Sequence, residues 1–144
     1  MTIKGGINHI TLRVQNLQRA EKFYSGILGL KRVGHRRGIN FYSSGLYNHE
    51  LALVEDPGLT LADIQQSGLA HFAFNIEGTQ ALKMMYQELL DAEYPVSTGV
   101  DHNISHSFYT RDMDGYLIEL TTDCASHEWE TNPNAFKLDK PLQL

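Results

Sequence analysis

The chain contains two similar segments, GINHITLRV at residues 6–14 and GLAHFAFNI at residues 68–76. In both, a glycine stands three positions before a histidine, so that His9 corresponds to His71. Apolar and polar residues alternate after each histidine, which predicts a β-strand with one face toward a core. The histidines share the opposite face with the polar residues. A repeat of this kind indicates a duplicated structural unit.

Each repeated strand is followed by a helical pattern and by three further strand candidates. Apolar residues recur at helical spacing over residues 17–28, with Gly29 as a stop signal, and again over residues 82–90. Short alternating segments bounded by turn residues then predict strands. These strands are predicted at about residues 30–35, 39–43 and 49–54 in the first copy and 96–100, 105–110 and 117–121 in the second. The order is therefore βαβββ twice, in an α+β fold.

The pattern also predicts how the 144 residues are divided. The first repeat covers about residues 5–56 and the second about residues 68–123, with a linker at about residues 57–67. Residues 124–144 are polar and lack periodicity, so they are predicted to form an irregular tail. The length is that of one ordinary domain, and residues 1–144 are predicted to form a single one.

Composition excludes several classes of protein. Seventeen acidic against 12 basic residues give a net charge of −5, which argues against nucleic-acid binding. No apolar run is long enough to span a bilayer, and the N-terminus lacks the apolar stretch of a signal peptide. The single cysteine, Cys124, excludes an internal disulfide and is typical of a reducing compartment. These features predict a cytoplasmic protein that does not bind membranes.

The repeated histidines are candidate metal ligands. If a helix covers one face of each sheet, we expect His9 and His71 to point into one concavity from the other faces. Glu119 is the third candidate, because it stands among apolar residues of the last predicted strand, where a carboxylate is costly unless it is paired or bound to a cation. Two imidazoles and one carboxylate suit non-haem Fe(II), and Mn(II) also fits.

The duplicated βαβββ plan with His9, His71 and Glu119 resembles the vicinal oxygen chelate superfamily. This superfamily includes glyoxalase I, bleomycin and fosfomycin resistance proteins, and type I extradiol dioxygenases. The resemblance covers about residues 5–123 and implies a single glyoxalase-like module. It also implies a homodimer, since small members often pair. It identifies the superfamily but not the reaction.

The second half resembles the extradiol dioxygenase signature more specifically. The sequence VDH at residues 100–102 is followed by five residues, by FYTRDMDG at 108–115 and by Glu119. The departure is Met113, where the family usually has proline. The chain is thus similar to the short, single-module extradiol enzymes. The resemblance implies that His9, His71 and Glu119 bind the metal and that His102 and Tyr109 lie beside it.

A further active-site histidine is implied at His49, in the segment HELAL at residues 49–53. The implied activity is Fe(II)-dependent cleavage of a catechol-type ring by O2, in the catabolism of aromatic compounds. Tyr109 would hydrogen-bond a substrate hydroxyl oxygen, His49 would act as acid and base, and His102 would stabilise the reaction intermediate.

Two alternatives remain open. The repeat aligns Glu50-Leu51 with Glu119-Leu120, so that strict alternation points Glu50 toward the metal and His49 away. Glu50 would then be the fourth ligand of a glyoxalase-like isomerase or lyase. A bulge near Asn48 would instead let His49 turn inward, and we favour His49 because the signature residues of the second half favour a dioxygenase.

The second alternative is a metal-free, ligand-binding resistance protein, which would have no need of the three metal ligands. The sequence does not select the catechol, decide between Fe and Mn, or say whether one chain or two complete the site.

Overall fold

The computed structural model describes residues 6–61, 68–124, 134–136 and 139–144. The chain divides into two compact units, Met1–Leu61 and Ala62–Leu144. Each unit contains a helical segment and a β-sheet, which confirms the α+β class. No helix in the described part of the chain is long and apolar enough to cross a membrane.

The first unit has the strand and helix order that the sequence predicts. Its strands are β1 (Ile10–Val14), β2 (Lys31–Arg36), β3 (Ile39–Ser43) and β4 (Leu51–Glu55). They lie in the order β1-β4-β3-β2, with β1 parallel to β4 and the other neighbours antiparallel. A parallel pair requires a long crossover, and here the helical segment with β2 and β3 provides it.

The helical segment of the first unit changes its hydrogen bonding midway. Helix α1 (Leu17–Glu21) begins after Asn16, whose side-chain oxygen accepts a hydrogen bond from the Arg19 backbone N–H at 2.8 Å. Residues Lys22–Ile27 continue as a wider π-helix, which the apolar periodicity did not predict. Phe23 and Tyr24 in this turn are both fully buried, so the wider turn places two adjacent aromatic side chains in the core.

The second unit repeats the plan. Helix α2 (Gly78–Asp91) follows the first strand, and the strands are β5 (Phe72–Asn75), β6 (Gly99–Asp101), β7 (Ser105–Arg111), β8 (Leu117–Asp123) and β9 (Lys140–Leu142). They lie in the order β5-β8-β7-β6-β9, with β5 parallel to β8. The strand predicted at about 96–100 is shorter, because Val96 forms only an isolated bridge with Thr110. The duplicated βαβββ order is confirmed.

Helix α2 packs on one face of the second sheet. The ring of Tyr86 meets that of Phe108 edge to face at 5.0 Å, and Leu82 and Leu89 are fully buried. Each fully buried leucine contributes about 2 kcal/mol through the hydrophobic effect. Because side chains alternate along a strand, Tyr109 and Glu119 lie on the opposite face.

The prediction of an irregular tail over residues 124–144 was wrong for its last part. Residues 140–142 form β9, which pairs antiparallel with β6 as the edge strand of the second sheet. Gly99 makes room for it, because a Cβ there would lie 2.6 Å from the Leu142 carbonyl oxygen. A three-residue strand that contains Pro141 has no alternation to detect, so the sequence pattern missed it. Residues 125–133 and 137–138 of the predicted tail lie outside the described part.

The strand registers correct the sequence alignment of the two repeats. Ile10 pairs with Leu51, and its counterpart Phe72 pairs with Ile118. The register counterpart of Glu119 is therefore Ala52, not Glu50. A slip of two residues keeps every side chain on the same face, so alternation alone did not detect the error.

Candidate active site

In the second unit, His71 and Glu119 form an imidazole–carboxylate pair. His71 immediately precedes β5, and Glu119 lies in the neighbouring parallel strand β8. The Nε2 atom of His71 is 3.3 Å from Oε2 of Glu119. The Glu119 side chain is 14% exposed and that of His71 is 42% exposed, so the carboxylate is the deeper member of the pair. A largely buried carboxylate requires such a partner.

Tyr109 completes this pair from strand β7. It lies directly opposite Glu119 in the antiparallel register, and its hydroxyl hydrogen-bonds to that carboxylate. Its ring stands edge-on to the His71 ring, with centroids 5.6 Å apart. Burial raises the pKa of Tyr109, and the charge and hydrogen bond of Glu119 raise it further. The phenol therefore stays protonated at neutral pH and donates its hydrogen to Glu119.

His102 approaches the other oxygen of the same carboxylate. It follows β6 at the start of a tight turn, in which its backbone N–H donates to the Ser105 carbonyl at 2.9 Å. Its Nε2 atom is 3.8 Å from Oε1 of Glu119, and its Nδ1 atom is 2.7 Å from Oδ1 of Asp139. The structure thus gathers His71, His102 and Tyr109 around Glu119 within one unit.

Asp139 is a residue of this cluster that the sequence did not indicate. Its contact with His102 spans 37 residues and depends on β9, which the pattern did not predict. The sequence signal that relates to β9 is Gly99, because the lack of a side chain at this position leaves room for the strand. A glycine within a predicted strand is a signal of close backbone approach, but it does not say which segment approaches.

In the first unit, His49 lies against His9. Their ring centroids are 4.5 Å apart, and the His49 ring meets the Phe41 ring edge to face at 5.2 Å. The Nδ1 atom of His9 is 3.0 Å from the side-chain oxygen of Asn8, and Nδ1 of His49 contacts the side-chain oxygen of Asn48. Asn48 and Glu50 lie in bends just before β4, so strict strand alternation does not extend to His49.

Glu50 is engaged elsewhere in the first unit. Its carboxylate accepts hydrogen bonds from the hydroxyl and from the backbone N–H of Ser44, the latter at 3.2 Å. Burial acts to raise the pKa of Glu50, but hydrogen bonds from Ser44 and Ser43 outweigh it, and the net pKa is lowered. The carboxylate is therefore ionised and satisfied by donors of its own turn.

The donor chemistry fits the divalent metal that the resemblance implies. Within residues 6–61, 68–124, 134–136 and 139–144, no group of three histidine, cysteine or acidic side chains is already arranged to hold a metal ion. The second unit nevertheless brings together an imidazole nitrogen of His71 and the carboxylate of Glu119. The Asn8 contact of His9 occupies Nδ1 and leaves its Nε2 available. Ligating histidines commonly have one ring nitrogen held in this way.

Cys124 lies just beyond β8 and is free. Burial raises the pKa of its thiol, and the negative charges of Asp101 and Asp123 raise it further. Little thiolate is therefore present at neutral pH, and Cys124 is a poor nucleophile or metal ligand.

Comparison with known proteins identifies the family. A sequence model described as the glyoxalase/bleomycin resistance protein/dioxygenase superfamily matches residues 6–120. Biphenyl-2,3-diol 1,2-dioxygenase 3 of Rhodococcus globerulus is 30% identical over 125 residues, which is 85% of this chain and 66% of that protein. The chain thus spans about two thirds of the length of that relative.

Two other similarities cover more of the related protein. Metallothiol transferase FosB of Shouchella clausii is 34% identical over 121 residues, covering 81% of this chain and 80% of that protein. The structure of a glyoxylase/bleomycin resistance protein/dioxygenase domain from Frankia sp. EAN1pec superposes with a TM-score of 0.72 at 23% identity, over 88% of this chain and 97% of that one. The chain belongs to the glyoxalase/bleomycin resistance protein/dioxygenase superfamily.

Proposed function

We propose that the protein is an Fe(II)-dependent extradiol dioxygenase that cleaves a catechol-type ring with O2. In this proposal His9, His71 and Glu119 bind the metal, and His49, His102 and Tyr109 act on the substrate. The aromatic diol is the substrate class, and the named diol dioxygenase among the relatives supports that choice. Mn(II) suits the same ligands.

The observation that carries the proposal is that the adjacent residues His49 and Glu50 have different partners. The His49 ring lies 4.5 Å from the ring of His9, whereas Glu50 is bonded to Ser44. A glyoxalase-like isomerase with Glu50 as fourth ligand would need that carboxylate free. A histidine beside the proposed metal ligand His9 can act as general acid and base on a bound substrate.

Bound iron would supply the Lewis acidity that lowers a hydroxyl pKa and the redox capacity that activates dioxygen. The protein supplies the hydrogen bonds. The Tyr109 hydroxyl hydrogen-bonds to Glu119 in the metal-free protein, and with Glu119 bound to the metal it would donate instead to the substrate oxygen that has lost its proton. Strand β7 holds this donor opposite Glu119, so that it is positioned before the substrate binds.

The two further histidines have different surroundings. His49 lies among the rings of His9 and Phe41, and its imidazole can move a proton to and from the reacting oxygen. His102 is 25% exposed, with one ring nitrogen directed to Glu119 and the other to Asp139. Asp139 thus orients His102, whose Nε2 lies beside Glu119, and the proposal assigns this histidine the stabilisation of the reaction intermediate.

The test is oxygen consumption by the iron-loaded protein. The protein is loaded with Fe(II) without oxygen, then mixed with oxygenated buffer and a panel of catechols that differ in ring substituents. The proposal expects O2 uptake with at least one catechol and a new yellow absorbance from the ring-opened product. Tight iron binding without oxygen uptake by any catechol would contradict it.

A second function is favoured by the metallothiol transferase relative, which the chain matches over 80% of that protein's length. In this reading the same three metal ligands serve transfer of a thiol to an electrophile. Because the superfamily includes fosfomycin resistance proteins, the assay uses fosfomycin with glutathione or L-cysteine and Mn(II). A thiol adduct detected by mass spectrometry, without oxygen uptake by catechols, would establish this function in place of the first.

We also propose that the protein is a homodimer, as is common among small superfamily members. Light scattering coupled to size-exclusion chromatography measures the mass directly. A single species of 16.3 kDa, the mass of one chain, would contradict it.

A further inference from the structure

Asp139 makes a short contact with the imidazole of His102. Its Oδ1 atom is 2.7 Å from Nδ1, and the Asp139 side chain is 69% exposed. An ionised carboxylate accepts hydrogen bonds but does not donate them. The proton must therefore be on Nδ1, and in the neutral ring Nε2 carries the lone pair.

The other ring nitrogen is poorly satisfied. Nε2 of His102 is buried and has no hydrogen-bond partner among the described residues. Oε1 of Glu119 lies 3.8 Å from it, which is beyond hydrogen-bonding distance. A buried nitrogen without a partner is unfavourable unless a bound molecule supplies one. The atom is thus placed to meet a ligand beside Glu119.

The position of Asp139 depends on β9. In the antiparallel register Lys140 pairs with Asp101, so that Asp139 comes next to His102. At the other end of the strand, Leu142 pairs with Gly99. A Cβ at Gly99 would lie 2.6 Å from the backbone oxygen of Leu142 and 2.9 Å from side-chain atoms of Leu144. Any larger residue at position 99 must therefore displace the C-terminal strand.

We propose that Asp139 is a positioning residue, delivered by β9, which fixes the ring and the tautomer of His102 so that Nε2 presents its lone pair beside Glu119. The proposal rests on the proposed function for what His102 then does to a substrate. It assigns the C-terminal strand a part in the active site. The same arrangement of carboxylate, imidazole and reacting group orients histidines in other enzymes.

The tautomer is measured directly in the metal-free protein. A long-range ¹H–¹⁵N spectrum of ¹⁵N-histidine-labelled protein at about pH 9, well above the ordinary histidine pKa of about 6.5, reports which ring nitrogen carries the proton. The signals of His102 are those that disappear in His102→Gln. We expect the Nδ1–H tautomer in the wild type and its loss in Asp139→Ala, with recovery in Asp139→Glu. An unchanged His102 tautomer in Asp139→Ala would overturn the proposal.

Two further variants separate positioning from strand pairing. Gly99→Ala keeps the Asp139 carboxylate but displaces β9, so His102 should lose the Nδ1–H tautomer as it does in Asp139→Ala. Asp91→Asn, which removes an exposed carboxylate of α2, should leave the His102 signals unchanged. If Gly99→Ala retained the wild-type tautomer, β9 would not be the element that delivers Asp139, and that part of the proposal would be wrong.

Kinetics of the iron-loaded protein test the consequence. Asp139→Ala should lower kcat about 10- to 100-fold, the usual range for a group that orients a neighbour, with KM and iron content nearly unchanged. Failure of the proposed function is a different result, namely no oxygen uptake by any variant with the tautomer change intact. An unchanged kcat together with the tautomer change would overturn the role of Asp139 in the reaction.

Discussion

The two units share one strand frame but differ at the positions that surround the repeated histidine. In the second unit the register places Tyr109 opposite Glu119, and in the first it places Phe41 opposite Ala52. At these two positions the first unit thus has neither the carboxylate nor the hydroxyl of the second. A second histidine, His49, lies against the repeated one instead. The two units thus share their strand order but surround the repeated histidine with different side chains.

Glu50 and Glu119, which the sequence repeat aligned with each other, also differ in the groups that contact them. Glu119 is flanked by two imidazoles and a phenol, whereas Glu50 is held by the hydroxyl and N–H of Ser44. A carboxylate that is satisfied by local donors has little to gain from a metal. The two carboxylates therefore differ in the source of their partners, which come from other segments of the second unit for Glu119 and from the same turn for Glu50.

The largest effect is expected at His49, the histidine that lies against the repeated histidine of the first unit. His49→Phe should keep the metal and lower ring-cleavage turnover by about 100-fold or more, the usual scale for an acid–base group. Phenylalanine preserves the ring contacts with His9 and Phe41, so the fold should survive. Iron content and oxygen uptake are measured on the same sample.

A matched control is His35→Gln, which changes a β2 histidine that contacts Asn40. It should retain most of the turnover. Equal losses in both variants would show that histidine content as such, rather than the position of His49, affects activity. Full turnover in His49→Phe would mean that His49 has no acid–base role and that the two units do not differ in this respect.

Ala52 is the residue of the first unit that corresponds to Glu119 in strand register, and a carboxylate introduced there tests whether the first unit can accommodate one. Ala52 is 3% exposed, so Ala52→Glu buries a charge without the surroundings that Glu119 has, and should lower the free energy of unfolding by about 2 kcal/mol or more. Thr11→Glu, at the exposed residue paired with Ala52, should cost less than about 0.5 kcal/mol. Urea denaturation measures both. Equal stability of Ala52→Glu and wild type would mean that the first unit still accommodates the second unit's carboxylate.

The smallest expected effect is a change in the free energy of unfolding at acid pH. The folded state lowers the pKa of Glu50 from 4.5, so its contribution is fully present above that value and is lost as the pH falls through the lower folded pKa. The stability difference between wild type and Glu50→Gln should therefore be constant above about pH 5 and shrink below pH 4.5. It should not exceed about 1 kcal/mol, because the residue is partly exposed. A difference that grows on acidification would contradict this assignment.

The sequence predicted the frame of the molecule well and its local exceptions poorly. The histidine repeat and the alternation after it were sufficient for both βαβββ units, because those patterns follow from which face of a strand is buried. The alignment of Glu50 with Glu119 failed, since a shift by two residues preserves the face and leaves only hydrogen-bond register to reveal it. Asp139 was missed because its contact is distant in sequence and is made by an edge strand with no pattern of its own.

We propose that Glu119 and the two repeated histidines, His9 and His71, bind a single metal per chain. A metal titration followed by elemental analysis tests it on the wild type, His9→Ala, His71→Ala, Glu119→Gln and Glu50→Gln. We expect about one divalent metal in the wild type and in Glu50→Gln, and affinity lower by more than about 100-fold in the other three, since even outer-shell partners of metal ligands contribute 10- to 100-fold. Loss of the metal in Glu50→Gln, or full occupancy in a His9→Ala/His71→Ala double variant, would contradict the claim.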